Sequence, residues 1–198
     1  MTFLKSLPLL LGLAALARPA AAQSVFVTRH AQLSFFSKTP LEDISAKSSV
    51  AVSAIDLQSR SVYFQVDNTS FDFPRKLMQE HFNENYIESA KYPFSEFRGQ
   101  LTGDVDPAKD GTYPVTVSGK LKLHGVEKAY QEPGTVTVKD HRLLVAATFS
   151  VQLKDHNISI PTVVVAKIAE QVQVTVSAEY ELNQGPPALT KGSGAPAR

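Results

Sequence analysis

The chain contains no cysteine. It must therefore hold itself together by packing, without disulfides, and it offers no thiol for lipid attachment behind an export signal. It has no long hydrophobic run either. "LPLLLGLAALA", near the start, is too short to span a bilayer, and no later segment is long and apolar enough. Charge of one sign is also missing. The 20 basic residues stand against 19 acidic ones, and removal of residues 1–22 takes away only Lys5 and Arg18, leaving 18 against 19 and a net charge of −1. Such a balance recruits neither nucleic acid nor an anionic membrane surface. Glycine clusters only near the carboxyl end, so no glycine-rich phosphate loop is present.

What is there begins with an export signal. Lys5 supplies its charged region, "LPLLLGLAALA" its apolar region and "AAAQS" a small-residue cleavage site, with cleavage expected after Ala22. The expectation is a soluble periplasmic or secreted protein. From Asn183 onward, "NQGPPALTKGSGAPAR" has the composition of a disordered tail over 183–198, which leaves one folded domain over 23–182.

Within that domain the apolar residues recur with period two. "VQVTVSAEY" places Val172, Val174, Val176, Ala178 and Tyr180 on one face. "LLVAATFSVQL" and "YPVTVSGKLKL" repeat the pattern with Leu143, Val145, Ala147, Phe149 and Val151, and with Val115, Val117, Leu121 and Leu123. Strands with one buried and one wet face read this way. Shorter strands are expected at Gln32–Lys38, Ser49–Leu57, Ser61–Asp67, Ser95–Leu101 and Gly134–Val138, separated by turns at "LQSRS", "DVDPAKDG", "EPG" and "KDH". Eight or nine strands on short links argue for an all-β, antiparallel barrel or sandwich rather than parallel units. One helix interrupts them between Pro74 and Tyr86, with Leu77, Met78, Phe82 and Ile87 as its apolar stripe, until Tyr92-Pro93 returns the chain to extended geometry.

Polar constellations are weak. His81 with Glu80 and Glu84 falls short of the three or four convergent ligands that zinc takes, so no metal is expected. Lys139-Asp140-His141 and Lys154-Asp155-His156 flank one strand, which holds the two Asp–His pairs far apart. They are expected to be two turns of the same type, and no serine nucleophile in a strained turn stands between them. Asn68-Thr69-Ser70 and Asn157-Ile158-Ser159 match glycan acceptors, a pattern common by chance. No catalytic residue and no cofactor is expected.

The 11 Phe and 6 Tyr, by contrast, concentrate in the first half of the chain. An eight-stranded barrel is just wide enough to be filled by such side chains or to hold one slim ligand.

"FDFPRKLMQEHFNENYIESAKYPFSEFRGQLTG" and "GTYPVTVSGKLKLHGVEK" resemble the YceI-like lipid- and polyisoprenoid-binding family over about residues 24–182. The carrying features are Leu77-Met78, then His81-Phe82-Asn83-Glu84, Tyr92-Pro93 and Phe97-x-Gly99, followed by Gly119 to Lys128 with His124-Gly125-Val126 at its centre. The resemblance implies an exported, lipocalin-like antiparallel barrel of about eight strands, with an apolar tunnel for a long isoprenoid or fatty chain and no catalysis. "LSFFSKTPLEDISAKSSVAVSAID" replaces the His- and Gly-containing strands of the longer members, so the chain looks like a shorter branch. On this basis Val62, Phe64 and Val66 are expected to face Phe97 and Leu101, Val117 and Leu121, and Phe149 and Val151 across the interior. Met78, Phe82 and Tyr86 are expected to form a lid over a head group at the mouth, and His81 and His124 to hydrogen-bond at loop ends. The expected partner is a polyisoprenoid, quinone or fatty-chain lipid. The alternative is a packed barrel with a structural or stress-related role. Oligomeric state, a dimer included, is left open.

Overall fold

The structure, a computed structural model, describes residues 25–38, 43–159 and 170–183. The segments read as an export signal (1–22) and as a tail (183–198) lie outside them, apart from Asn183. Eight strands follow one another: β1 (Val25–Ser37), β2 (Ile44–Asp56), β3 (Ser61–Asp67), β4 (Phe94–Thr102), β5 (Gly111–Leu123), β6 (Val126–Lys139), β7 (Arg142–Gln152) and β8 (Gln171–Leu182). Each pairs antiparallel with the next, and β8 closes on β1 through pairs such as Phe26 with Leu182 and Phe35 with Val174. Closure leaves no sheet edge running the length of the molecule, and the strand alternation sets one face inward.

The two ends differ. The lower end carries the β2–β3 and β6–β7 turns, the β4–β5 loop and both described chain ends, Asn183 N–H donating to the Val25 carbonyl at 2.7 Å. It is packed shut. Ile55, Val136, Val138, Leu143 and Tyr180 there are each 2% exposed or less. The upper end carries the inserted helix, the β5–β6 turn and the residues that follow β7.

Local chemistry explains the joints. Asp140 (φ 50°) and His141 (φ 61°) are the two left-handed residues of a two-residue hairpin turn between Lys139 and Arg142, which are paired. His124 (φ 50°) and Gly125 (φ 75°) do the same between Leu123 and Val126. A β-carbon on Gly125 would also meet the Tyr92 ring at 2.5 Å. The second "KDH" is different: Leu153–His156 is a 3-10 turn ended by left-handed Asn157 (φ 56°). The expectation of two turns of one type is therefore corrected.

Three strands run past the bounds expected for them. β1 and β2 each carry an irregularity: their register shifts between Thr28 and Ala31 and again between Ala31 and Leu33. Each added residue reverses which side chains face inward. Phe26 is buried below the first shift and Ala31 above it, while on β2 the buried parity passes from Ala46 and Ser48 to Ala51, Ser53 and Ile55. Period two breaks there, which is why only Gln32–Lys38 and Ser49–Leu57 read as strand. "EPG" is not a turn. Pro133 pairs with Thr116 and Gly134 with Val115 inside β6.

Between β3 and β4 lies α1 (Lys76–His81), continued by one wider π-type turn over Phe82–Tyr86. The helix starts two residues after Pro74, because Arg75 is still extended (φ −129°, ψ 131°). Leu77, assigned to the apolar stripe, is 60% exposed, while Ile87 is buried. Asn68, the first glycan-acceptor match, is 1% exposed; its amide donates to the Tyr92 carbonyl (2.7 Å) and its oxygen accepts from Ser95 (2.7 Å), closing it to modification.

Candidate functional site: the barrel cavity

Inward side chains of every strand surround a cavity of about 630 Å³. It lies above the packed lower core and beneath the helix. A volume of this size is within the ordinary range for small-molecule sites, about 300–1,000 Å³. Val62, Phe64 and Val66 stand on one wall, Phe97 and Leu101 on the next, then Val117 and Leu121, with Phe149 and Val151 farther round. Met78, Phe82 and Tyr86 border it from the helix. The residues expected to face one interior thus border a single space. The rings of Phe64, Phe97 and Phe149 stand around that space without filling it.

Sequence reasoning left out part of the wall. Leu33 and Phe35 of β1, Val172, Val174 and Val176 of β8, and Tyr130 and Glu132 of β6 also border the cavity. The β8 residues had been visible in the alternation. Leu33 and Phe35 fall within the strand expected at Gln32–Lys38 but were not assigned to the interior, while Tyr130 and Glu132 are cut off from their strand by the reading of "EPG" as a turn.

Aromatic rings cluster at the helix end. Phe35 lies 5.5 Å from Phe71, 5.8 Å from Phe73 and 5.6 Å from Phe82, and Phe73 lies 5.1 Å from Phe82, centroid to centroid. These are the offset and edge contacts that aromatic pairs favour. In the cavity floor, one polar chain is self-contained. Tyr180 O–H donates to Ser53 Oγ (2.8 Å), which donates to the Tyr63 carbonyl (2.5 Å). Burial pushes the Tyr180 phenol up to about 12, outweighing the opposing effect of the Ser53 contact, so it stays a neutral donor.

A second polar network fastens the upper end. His124 donates from Nδ1 to the His156 carbonyl (3.0 Å) and meets the Glu88 carboxylate through Nε2 (2.5 Å), with the Tyr92 ring 4.6 Å away. His156 is fully buried; its Nδ1 donates to the Val126 carbonyl (3.1 Å) and its Nε2 accepts from Tyr130 O–H (3.0 Å). The segment after the helix, the β5–β6 turn, the 3-10 turn and a cavity-lining tyrosine are thereby tied together. His124 hydrogen-bonds at a loop end as expected. His81 does not: it is exposed on α1 and makes no hydrogen bond among the described residues. Among those residues no group of three or more His, Asp or Glu is placed to hold a metal.

Burial lowers the His156 pKa below the ordinary value, against smaller upward pulls from backbone contacts at Val126 and Leu123. The unfolded chain binds a proton near pH 6.5 that the folded ring resists. This contribution to stability is therefore full above about pH 6.5 and is lost as pH falls toward the lower folded value. The His156 ring signals, followed by NMR, should titrate below those of an unfolded peptide. A midpoint at or above the ordinary value would contradict this account.

An antiparallel barrel of eight strands, closed on itself and hollow above a packed floor, defines a cavity-bearing β-barrel fold. The chain belongs to the YceI-like family, whose profile, described as a YceI-like domain, matches residues 17–180. Three solved structures share its fold. A polyisoprenoid binding domain from Saccharophagus degradans, implicated in plant cell wall breakdown, is 18% identical with a TM-score of 0.69, covering 81% of this chain and 99% of its own. Burkholderia cenocepacia BcnA is 16% identical at a TM-score of 0.64, covering 76% and 95%. The Campylobacter jejuni YCEI protein is 12% identical at 0.58, covering 72% and 86%. No curated protein sequence matches the chain. No helix among the described residues is long and apolar enough to cross a membrane.

Proposed function

We propose that this protein is an exported binding protein that carries one long, thin, mainly apolar amphiphile inside its barrel: a polyisoprenoid, a quinone or a fatty-chain lipid. The observation that carries the proposal is the cavity, a continuous space of about 630 Å³ whose walls are chiefly Val, Leu and Phe. Each methylene buried there contributes roughly 0.8 kcal/mol, so a chain of about ten carbons offsets several kcal/mol of lost freedom. Such a wall holds a chain and has little with which to transform one, which supports binding over catalysis. The polyisoprenoid binding named for the Saccharophagus degradans domain supports the choice of ligand class. Export rests on the amino-terminal signal pattern, with Gln23 as the first residue of the mature chain.

Extraction of the purified protein with organic solvent, followed by mass spectrometry, should yield about one long-chain lipid per barrel. Protein that yields no lipid and takes up no fluorescent fatty or isoprenoid probe would defeat the carrier reading in favour of a structural role.

A further inference from the structure

Among the described residues the barrel wall is incomplete between β6 and β7. Their ladder runs from Lys139 and Arg142 at the lower end to Gly134 and Ala147, and stops there. Both strands continue upward, β6 paired with β5 as far as Val126 and β7 paired with β8 as far as Gln152, but they no longer pair with each other. Pro133 stands at the point of divergence, where it has no N–H to donate to a partner strand. Above it the seam is spanned by side chains: the Tyr130 and Phe149 rings meet edge to face at 6.1 Å.

Glu132 belongs to this seam. On β6 the inward residues are Tyr130, Glu132, Gly134, Val136 and Val138, so the carboxylate is on the cavity side, half-buried. It makes no hydrogen bond or ion pair among the described residues; its charge registers at Tyr130, whose pKa it helps raise beneath the larger effect of burial. The other carboxylate bordering the cavity, Glu96, is already engaged by Gln65 (3.2 Å) and Arg98 (3.1 Å). A carboxylate in an apolar wall needs water or a donor, and a guest that displaces water from the seam must supply the donor. At the helix end phenylalanine rings pack together and Arg75 is already engaged, while His81, which also borders the cavity there, is exposed to solvent on α1.

We infer that Glu132, in the seam between β6 and β7, receives the head of the bound amphiphile and selects a neutral or cationic hydrogen-bond donor, an alcohol, phenol or amine, over an anionic phosphate or carboxylate. This rests on the carrier reading and moves the head group from the helix end to the side of the barrel.

The test compares one farnesyl chain bearing a hydroxyl, an amine or a monophosphate, titrated into delipidated full-length protein and into Glu132→Gln. Wild-type protein should bind the amine and the alcohol roughly tenfold or more tighter than the phosphate, the scale of one hydrogen bond to a charged group. Glu132→Gln should erase the gap between amine and phosphate while still binding the farnesyl chain. Equal wild-type affinities, or a preference for phosphate, overturn the inference whether or not the variant folds. An unchanged ranking in a folded Glu132→Gln overturns it as well. If none of the three probes binds, the carrier reading falls too; if all bind alike, only the role of Glu132 falls.

Discussion

Val117→Trp should remove most of the affinity for a long apolar ligand and leave the barrel folded. Val117 lies in the middle of β5, paired with Leu101 on one side and Glu132 on the other, and its side chain borders the cavity. An indole there grows into empty space and displaces guest in place of protein. Displacing about five methylenes forfeits about 4 kcal/mol, on the order of a thousandfold in affinity. The added ring meets wall atoms on several sides, so thermal stability should hold or rise slightly. The measurement is a titration with a fluorescent fatty probe beside a melting curve. Unchanged binding would place the guest elsewhere; a collapsed melting temperature would mean that the space seen above the core is not available.

Gly119→Ala should have the largest effect on the fold. Gly119 faces Gly99 across β4 and β5, and the Phe97 ring lies against both. A β-carbon at 119 would sit 2.5 Å from the Gly99 α-carbon and 2.7 Å from Phe97 Cζ, closer still to the Arg98 carbonyl. Two of these neighbours are backbone and cannot rotate aside. Overpacking of this kind costs about 3 kcal/mol, which for a chain of this size lowers the melting temperature by about 6–12 °C. A variant that melts with the parent would show that the two strands separate more easily here than their pairing implies.

How much of this was legible in the residues depends on whether a single period governed them. β3 reads as Ser61–Asp67 and is found there, since nothing interrupts its alternation. β7 and β8 are equally plain. Because inward positions follow from parity alone, Val62, Phe64, Val66, Val117, Leu121, Phe149 and Val151 could be assigned to one interior before any coordinates. β1 and β2 could not be read to their full length. The register shifts exchange the inner and outer faces partway along, and a sequence window sees that exchange as lost periodicity. Pro133 misled for another reason: proline and glycine signal turns on average, but here they mark the place where one strand leaves its neighbour. The polar fastening at His124 and His156 was out of reach because its partners, Glu88, Val126 and Tyr130, meet only once the upper turns are assembled.

The described chain ends lie side by side at the packed lower end, joined by the hydrogen bond from Asn183 to Val25. Anything joined directly to Val25 or Asn183 therefore leaves from the blunt end, opposite the helix and away from the upper part of the seam. A domain trimmed to Val25–Asn183 and immobilised through a tag on either of those residues would stand like a cup on its base, with the helix end toward the solution. The same proximity makes the trimmed domain a good subject for circular permutation: a short linker can bridge Asn183 to Val25, and new ends can be cut at the exposed β4–β5 loop without disturbing the strands that enclose the cavity.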